Sequence, residues 1–129
     1  MKVMSNVPVE KHEDTELPIP TIWRATLKSL GDSFVFGTQL VSEDKVSIEP
    51  IDEETTKINR SNIEDYPDTI GRLTEITWVS SVCAWTGNSW EVLVDLSTSD
   101  GQVSDLVMHV EIRETGDCYI IEPGLIYVP

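Results

Sequence analysis

Three turn dipeptides, Gly87-Asn88, Asp100-Gly101 and Gly116-Asp117, punctuate the C-terminal part of the chain at nearly equal intervals. Gly, Asn and Asp tolerate the positive φ of tight hairpin turns, so this spacing restricts topology more than any other feature. Between and around them lie four β-rich runs: Thr74–Trp85, Ser89–Thr98, Ser104–Glu114 and Cys118–Val128. Trp90, Val92, Val94 and Leu96 alternate with Glu91, Leu93, Asp95 and Ser97. Leu106, Met108, Val110 and Ile112 alternate with Asp105, Val107, His109, Glu111 and Arg113. A period of two with one apolar and one charged face specifies an antiparallel sheet that is dry on one side only. Short turns make it a meander. Pro123-Gly124 is expected to break its last strand.

Such a sheet needs a cover for its apolar face. Ile19, Ile22, Trp23, Thr26, Leu27 and Leu30 form one stripe at helical spacing, with Pro20 in the first turn and Gly31 as the expected stop. Trp23 is expected between this helix and the sheet. Ser33–Val41 and Lys45–Glu49 are rich in β-formers and read as a short hairpin around Ser42-Glu43-Asp44. Asp52-Glu53-Glu54 suits a helix start; Ser61 suits the cap of a second short turn through Tyr66, which Pro67 ends. Residues 1–18 show little periodicity and read as a flexible arm. The fold class is therefore α+β. An N-terminal helix and an irregular acidic region pack on a twisted antiparallel β-meander of about four to six strands, held within residues 73–129. At 129 residues, one domain spanning 1–129 is expected.

Charge limits what this fold can bind. The chain has net charge -14, from 23 Asp and Glu against 9 Lys and Arg. From Leu73 onward there are nine acidic residues and one basic, Arg113. That field repels nucleic acid and anionic membrane and steers basic proteins toward the chain. No apolar run approaches the ~20 residues of a membrane span, and no apolar leader follows Met1. A cytoplasmic protein with reduced Cys83 and Cys118 is expected, since the two fit no metal-ligand spacing.

Catalytic chemistry is hard to place. His12 falls in the arm. His109 falls on the wet sheet face, where Asp95 is a candidate cross-strand partner that would make it a general acid. Glu91, Asp95, Asp105 and Glu111 share that face, yet no calcium-loop glycine or His-carboxylate spacing accompanies them. Nucleophile and phosphate-loop motifs are missing. The expectation is a non-enzyme with no catalytic residue, cofactor or metal. Trp85 has the opposite parity from Ile76, Trp78 and Ala84, which exposes it as an interface anchor unless Ser80-Ser81 marks a bulge. The partner-binding set is then Asp52, Glu53, Glu54, Glu64, Asp65 and Asp68 from the acidic stretch, with Trp85, Asp95, Asp105 and Glu111 from the sheet.

Two resemblances add to this reading. Trp90 to Leu96, Gly101, Ser104-Asp105-Leu106 and Ile112 resemble the C-terminal sheet of an uncharacterised family of small bacterial domains. In format, being small, acidic and without a catalytic motif, the chain resembles the immunity proteins of bacterial toxin systems, including contact-dependent inhibition. That resemblance implies a basic protein partner, a toxin domain such as a nuclease, blocked by acidic occlusion or phosphate mimicry. The alternative is a cystatin-like or NTF2-like α+β enzyme or ligand-binding domain. Its pocket would be lined by Trp78, Trp90 and Tyr119, with His109 or Asp95 turned inward.

Overall fold

The computed structural model describes residues 6–129. It contains β1 (Glu16–Pro18), α1 (Thr21–Phe36), β2 (Val46–Ile48), α2 (Glu53–Asp65), α3 (Thr77–Ser80), β3 (Val82–Trp85), β4 (Trp90–Ser97), β5 (Val103–Thr115) and β6 (Cys118–Tyr127). One six-stranded sheet runs in the order β1-β3-β4-β5-β6-β2. The β3-to-β6 meander is antiparallel, as the turn spacing predicts, and β1 adds antiparallel to β3. β2 adds parallel to β6.

α1 supplies the cover. Trp23, Leu27 and Leu30 are fully buried. The Trp23 ring stands edge-on to Trp90 at 5.1 Å and to Tyr119 at 5.5 Å. The helix does not stop at Gly31. Phe34 continues the stripe four residues past Leu30, and the helix closes at Gly37, whose φ of 71° carries the backbone out of it. Gly31 serves close packing instead: a Cβ there would lie 2.9 Å from Leu73 Cδ1. The predicted 33–49 hairpin is therefore not formed, because Ser33–Phe36 belongs to α1, 37–41 forms no strand, and Val46–Ile48 pairs with β6. The β-formers Phe34, Val35 and Phe36 are overruled by one more turn of buried helix.

Two short helices predicted after Asp52 are a single one, α2, capped by Asp52 and running through Ser61 without a break. It closes the part of β6 that β2 leaves unpaired. The Asn59 side chain, wholly buried, donates to Gly124 O at 2.9 Å and accepts the Ile126 N–H at 2.7 Å. Asn62 donates to Ile126 O at 2.7 Å. Side-chain amides thus stand in for a neighbouring strand, and the edge presents fewer free backbone groups.

Pro123-Gly124 does not break β6. The strand passes through them with a register shift opposite the Met108–Val110 segment. A Cβ on Gly124 would fall 2.4 Å from His109 O, so only glycine permits this approach. The run Thr74–Trp85 is also revised: its first half holds the turn of α3, and only Val82–Trp85 is strand. That turn resets the side-chain phase, placing Trp85 on the core face with Cys83. Trp85 is half-buried, 4.6 Å from the Trp90 ring, with the Lys11 ammonium 5.1 Å above it. It is not an exposed anchor. Residues 6–18 are not a loose arm either: Trp90 Nε1 donates to Glu10 O at 2.9 Å, Thr21 N–H to Val7 O at 3.0 Å, and β1 pairs with β3. The first five residues of that arm lie outside the described residues.

Candidate functional site

α1 and the core lie on one side of the sheet, α2 lies at the β6 edge and α3 against Asp95, so most of the other side is left to solvent. Strand register dictates what that side presents. Glu16 is opposite Ala84, Ala84 opposite Glu91, Glu91 opposite Glu111, and Glu111 opposite Glu122. Four glutamates therefore lie on one line at right angles to the strands, with Ala84 the single gap. At ~4.8 Å per strand the line is about 19 Å long. Beside it runs a second line, Pro18, Val82, Leu93 and His109, which Leu125 extends in the β6 bulge. A third comprises Asp95, Val107 and Tyr127.

Glu91 and Glu111 face each other directly, as do Glu111 and Glu122. Among the described residues no Lys or Arg pairs with any of the four glutamates. The nearby cations are committed elsewhere: Lys11 to Glu114 at 2.8 Å, Arg113 to Glu49 at 2.9 Å and Lys45 to Asp117 at 3.5 Å. Glu111 accepts a hydrogen bond from Ser89 Oγ at 3.0 Å. Like charges directly opposite on a sheet are destabilising, by roughly 0.2–1 kcal/mol each.

His109 sits centrally on this face. Its Nδ1 is 3.3 Å from the Tyr127 hydroxyl and its Nε2 is 3.8 Å from Glu91 Oε1. The partner predicted for it, Asp95, is elsewhere engaged. The Asp95 carboxylate accepts from Ser80 Oγ, and its backbone N–H donates to Ser81 Oγ at 2.9 Å. Shallow depressions surround Tyr127. One of about 140 Å³ is lined by Glu16, Val82, Leu93 and His109, and one of about 280 Å³ by Glu122 and Leu125. A third, about 320 Å³, lies toward Asp65 and Tyr66.

The acids predicted from sequence are dispersed. Asp52 caps α2, and the Thr55 N–H at 2.7 Å holds its carboxyl below the ordinary carboxylate value. It lines a cleft with Glu49, Arg113 and Glu122, at one end of the glutamate line. Glu53 and Glu54 occupy the exposed first turn of α2; Glu64 and Asp65 occupy its last turn. Asp68 and Asp105 line a polar cleft of about 490 Å³ with Asp100, at the far end of the β4–β5 hairpin. Of the predicted set, only Glu111 stands on the line. Glu91 was legible as a wet-face acid, whereas Glu16, Glu122, Leu125 and Tyr127 were missed. Glu122 alternates with Ile121 and precedes Pro123, so the period of two run from Cys118 up to the proline would have found it.

Among the described residues no group of three His, Cys, Asp or Glu is placed to hold a metal ion. Among the described residues, the side chains expected to line the pocket of the cystatin-like or NTF2-like alternative do not share one face of the sheet. Trp23, Trp90 and Tyr119 pack against one another between helix and sheet, and His109 lies on the opposite face. Both cysteines are free, and burial pushes the Cys83 thiol up to about 11. The Cys118 thiol is also raised, chiefly by its hydrogen bond to Asp117. No helix among the described residues is long and apolar enough to cross a membrane.

Residues 32–129 match a domain of unknown function, DUF7668, and the chain belongs to that family. The match starts inside α1, so Glu91, His109, Glu111, Glu122 and Tyr127 fall within it and Glu16 does not. No curated protein and no solved structure matches the chain.

Proposed function

We propose that this protein is a non-catalytic binding module that occludes a basic protein with the open face of its sheet. In its specific form it is a cytoplasmic immunity protein and the partner a toxin domain, a nuclease. Its Lys and Arg, which otherwise grip phosphates, meet the glutamates instead. The observation that carries this reading is the directly opposed Glu91–Glu111–Glu122 series, with which no Lys or Arg pairs among the described residues. A fold that keeps three like charges in adjacent register gives up stability, and a cationic surface turns each repulsion into an attraction. The net charge of -14 adds long-range steering, which accelerates encounter with a basic partner and weakens as salt rises.

The test is co-expression with a candidate basic toxin domain, taken from any large open reading frame found beside this gene, followed by stopped-flow association of the purified pair. Protection of the cells, and an association rate that falls at least tenfold between 50 and 500 mM salt, is the expected result. Replacing Glu91, Glu111 and Glu122 together by Gln should remove protection while the protein stays folded by circular dichroism. A tight complex that forms at a salt-independent rate, or full protection by the triple variant, would refute the reading.

A further inference from the structure

The geometry points to the shape of the partner element: we propose that the open face receives a basic amphipathic α-helix laid across the strands. This rests on the binding reading above and specifies what is bound. Two parallel lines of side chains offer themselves, one acidic (Glu122, Glu111, Glu91) and one largely apolar (Leu125, Leu93, Val82). They are two residues apart along β4 and β5, or about 7 Å, and three apart in β6, where the bulge takes up the extra residue; both fit within the ~10–12 Å width of a helix with its side chains. An amphipathic helix presents the same arrangement in reverse, with a basic flank beside an apolar stripe.

Spacing selects a helix over an extended segment. Glutamates recur at the ~4.8 Å strand separation. On a helix, residues three and four apart rise about 4.5 and 6.0 Å, so cations at i, i+3 or i+4, and i+7 stay opposite Glu122, Glu111 and Glu91. Same-face side chains of an extended segment recur every ~6.8 Å and fall out of step after one strand. The whole line, about 19 Å, matches roughly thirteen helical residues. Charge decides among other occupants: a second copy of this chain docked by the same face would set glutamate against glutamate, and anionic membrane or nucleic acid is repelled likewise. Leu125, exposed at 44%, gives the apolar stripe its contact. The hydrogen bond between Tyr127 and His109 fixes the ring at the centre of the face.

Two synthetic probes of equal length, net charge and leucine content test this. One is a 14-residue hydrocarbon-stapled helix with arginines at i, i+4, i+7 and i+11 and leucines along one flank. The other is a scrambled, proline-interrupted sequence that cannot form a helix. Titration of the full-length protein, read by backbone amide NMR shifts and fluorescence anisotropy, should show the helix binding at least tenfold more tightly. The shifts should centre on Leu93, His109, Glu111 and Leu125. Leu125→Ser should weaken the helical probe about fivefold and leave the scrambled one unchanged. Equal affinity for both probes at this face, with both weakened by Glu111→Gln, would overturn the helix assignment and keep the acidic docking face. Shifts centred on the Asp68–Asp105 cleft or on the start of α2 would overturn both.

Discussion

Glu122→Lys is expected to make this protein more stable and less able to bind, and the two signs follow from one contact. The Glu122 side chain is exposed, directly opposite Glu111, and makes no hydrogen bond or ion pair among the described residues. Its replacement therefore removes a repulsion without leaving a buried group unpaired. Lysine then adds an attraction of similar size. Opposed like and unlike charges each contribute roughly 0.2–1 kcal/mol. Solvent screening at this exposed site places the sum near the lower half of the range, about 0.5–1 kcal/mol. For a domain of this size that is about 2–5 °C in Tm. Glu122→Gln, which only removes the repulsion, should give about half. Thermal unfolding at 20 mM and 500 mM salt is the assay, since a Debye length that shrinks to about 4 Å should erase most of the gain. A variant less stable than the parent at low salt, or a gain indifferent to salt, would show that the glutamates do not repel as the register implies. The energetic basis of the proposed function would then be gone.

Asn59→Leu should destabilise by about 2–5 kcal/mol in urea titration, because the Gly124 carbonyl and the Ile126 N–H are left unpaired at a buried position. For Asp52, the carboxylate has a lower pKa folded than unfolded, where it stands near 3.8. Its stabilisation is therefore complete above that value and is lost as pH falls through the lower folded one. The Tm advantage of the parent over Asp52→Ala should shrink below about pH 4, as scanning calorimetry would show. Iodoacetamide at pH 8 should alkylate half-exposed Cys118 before Cys83, which is buried with a thiol pKa of about 11; mass spectrometry of the timed digest gives the order.

The sequence by itself determined the meander and the burial of Trp23. Glycine-bearing turns and period-two alternation are local properties, and Gly87-Asn88, Asp100-Gly101 and Gly116-Asp117 leave an antiparallel chain few alternatives. The net negative charge was legible too, because formal charge needs no coordinates. Tertiary structure decided the rest. Phe34 and Val35 have β-former side chains, yet burial against the sheet extends α1 over them. Gly31 resembles a helix stop, but its missing Cβ admits Leu73. Pro123-Gly124 resembles a strand break, but a bulge against His109 absorbs it. Above all, the glutamate line is a product of register. Glu16, Glu91, Glu111 and Glu122 are spread over more than a hundred residues of chain and meet only because four pairings align them across the sheet. Alternation says which face each acid takes; only the paired strands say which acids stand side by side.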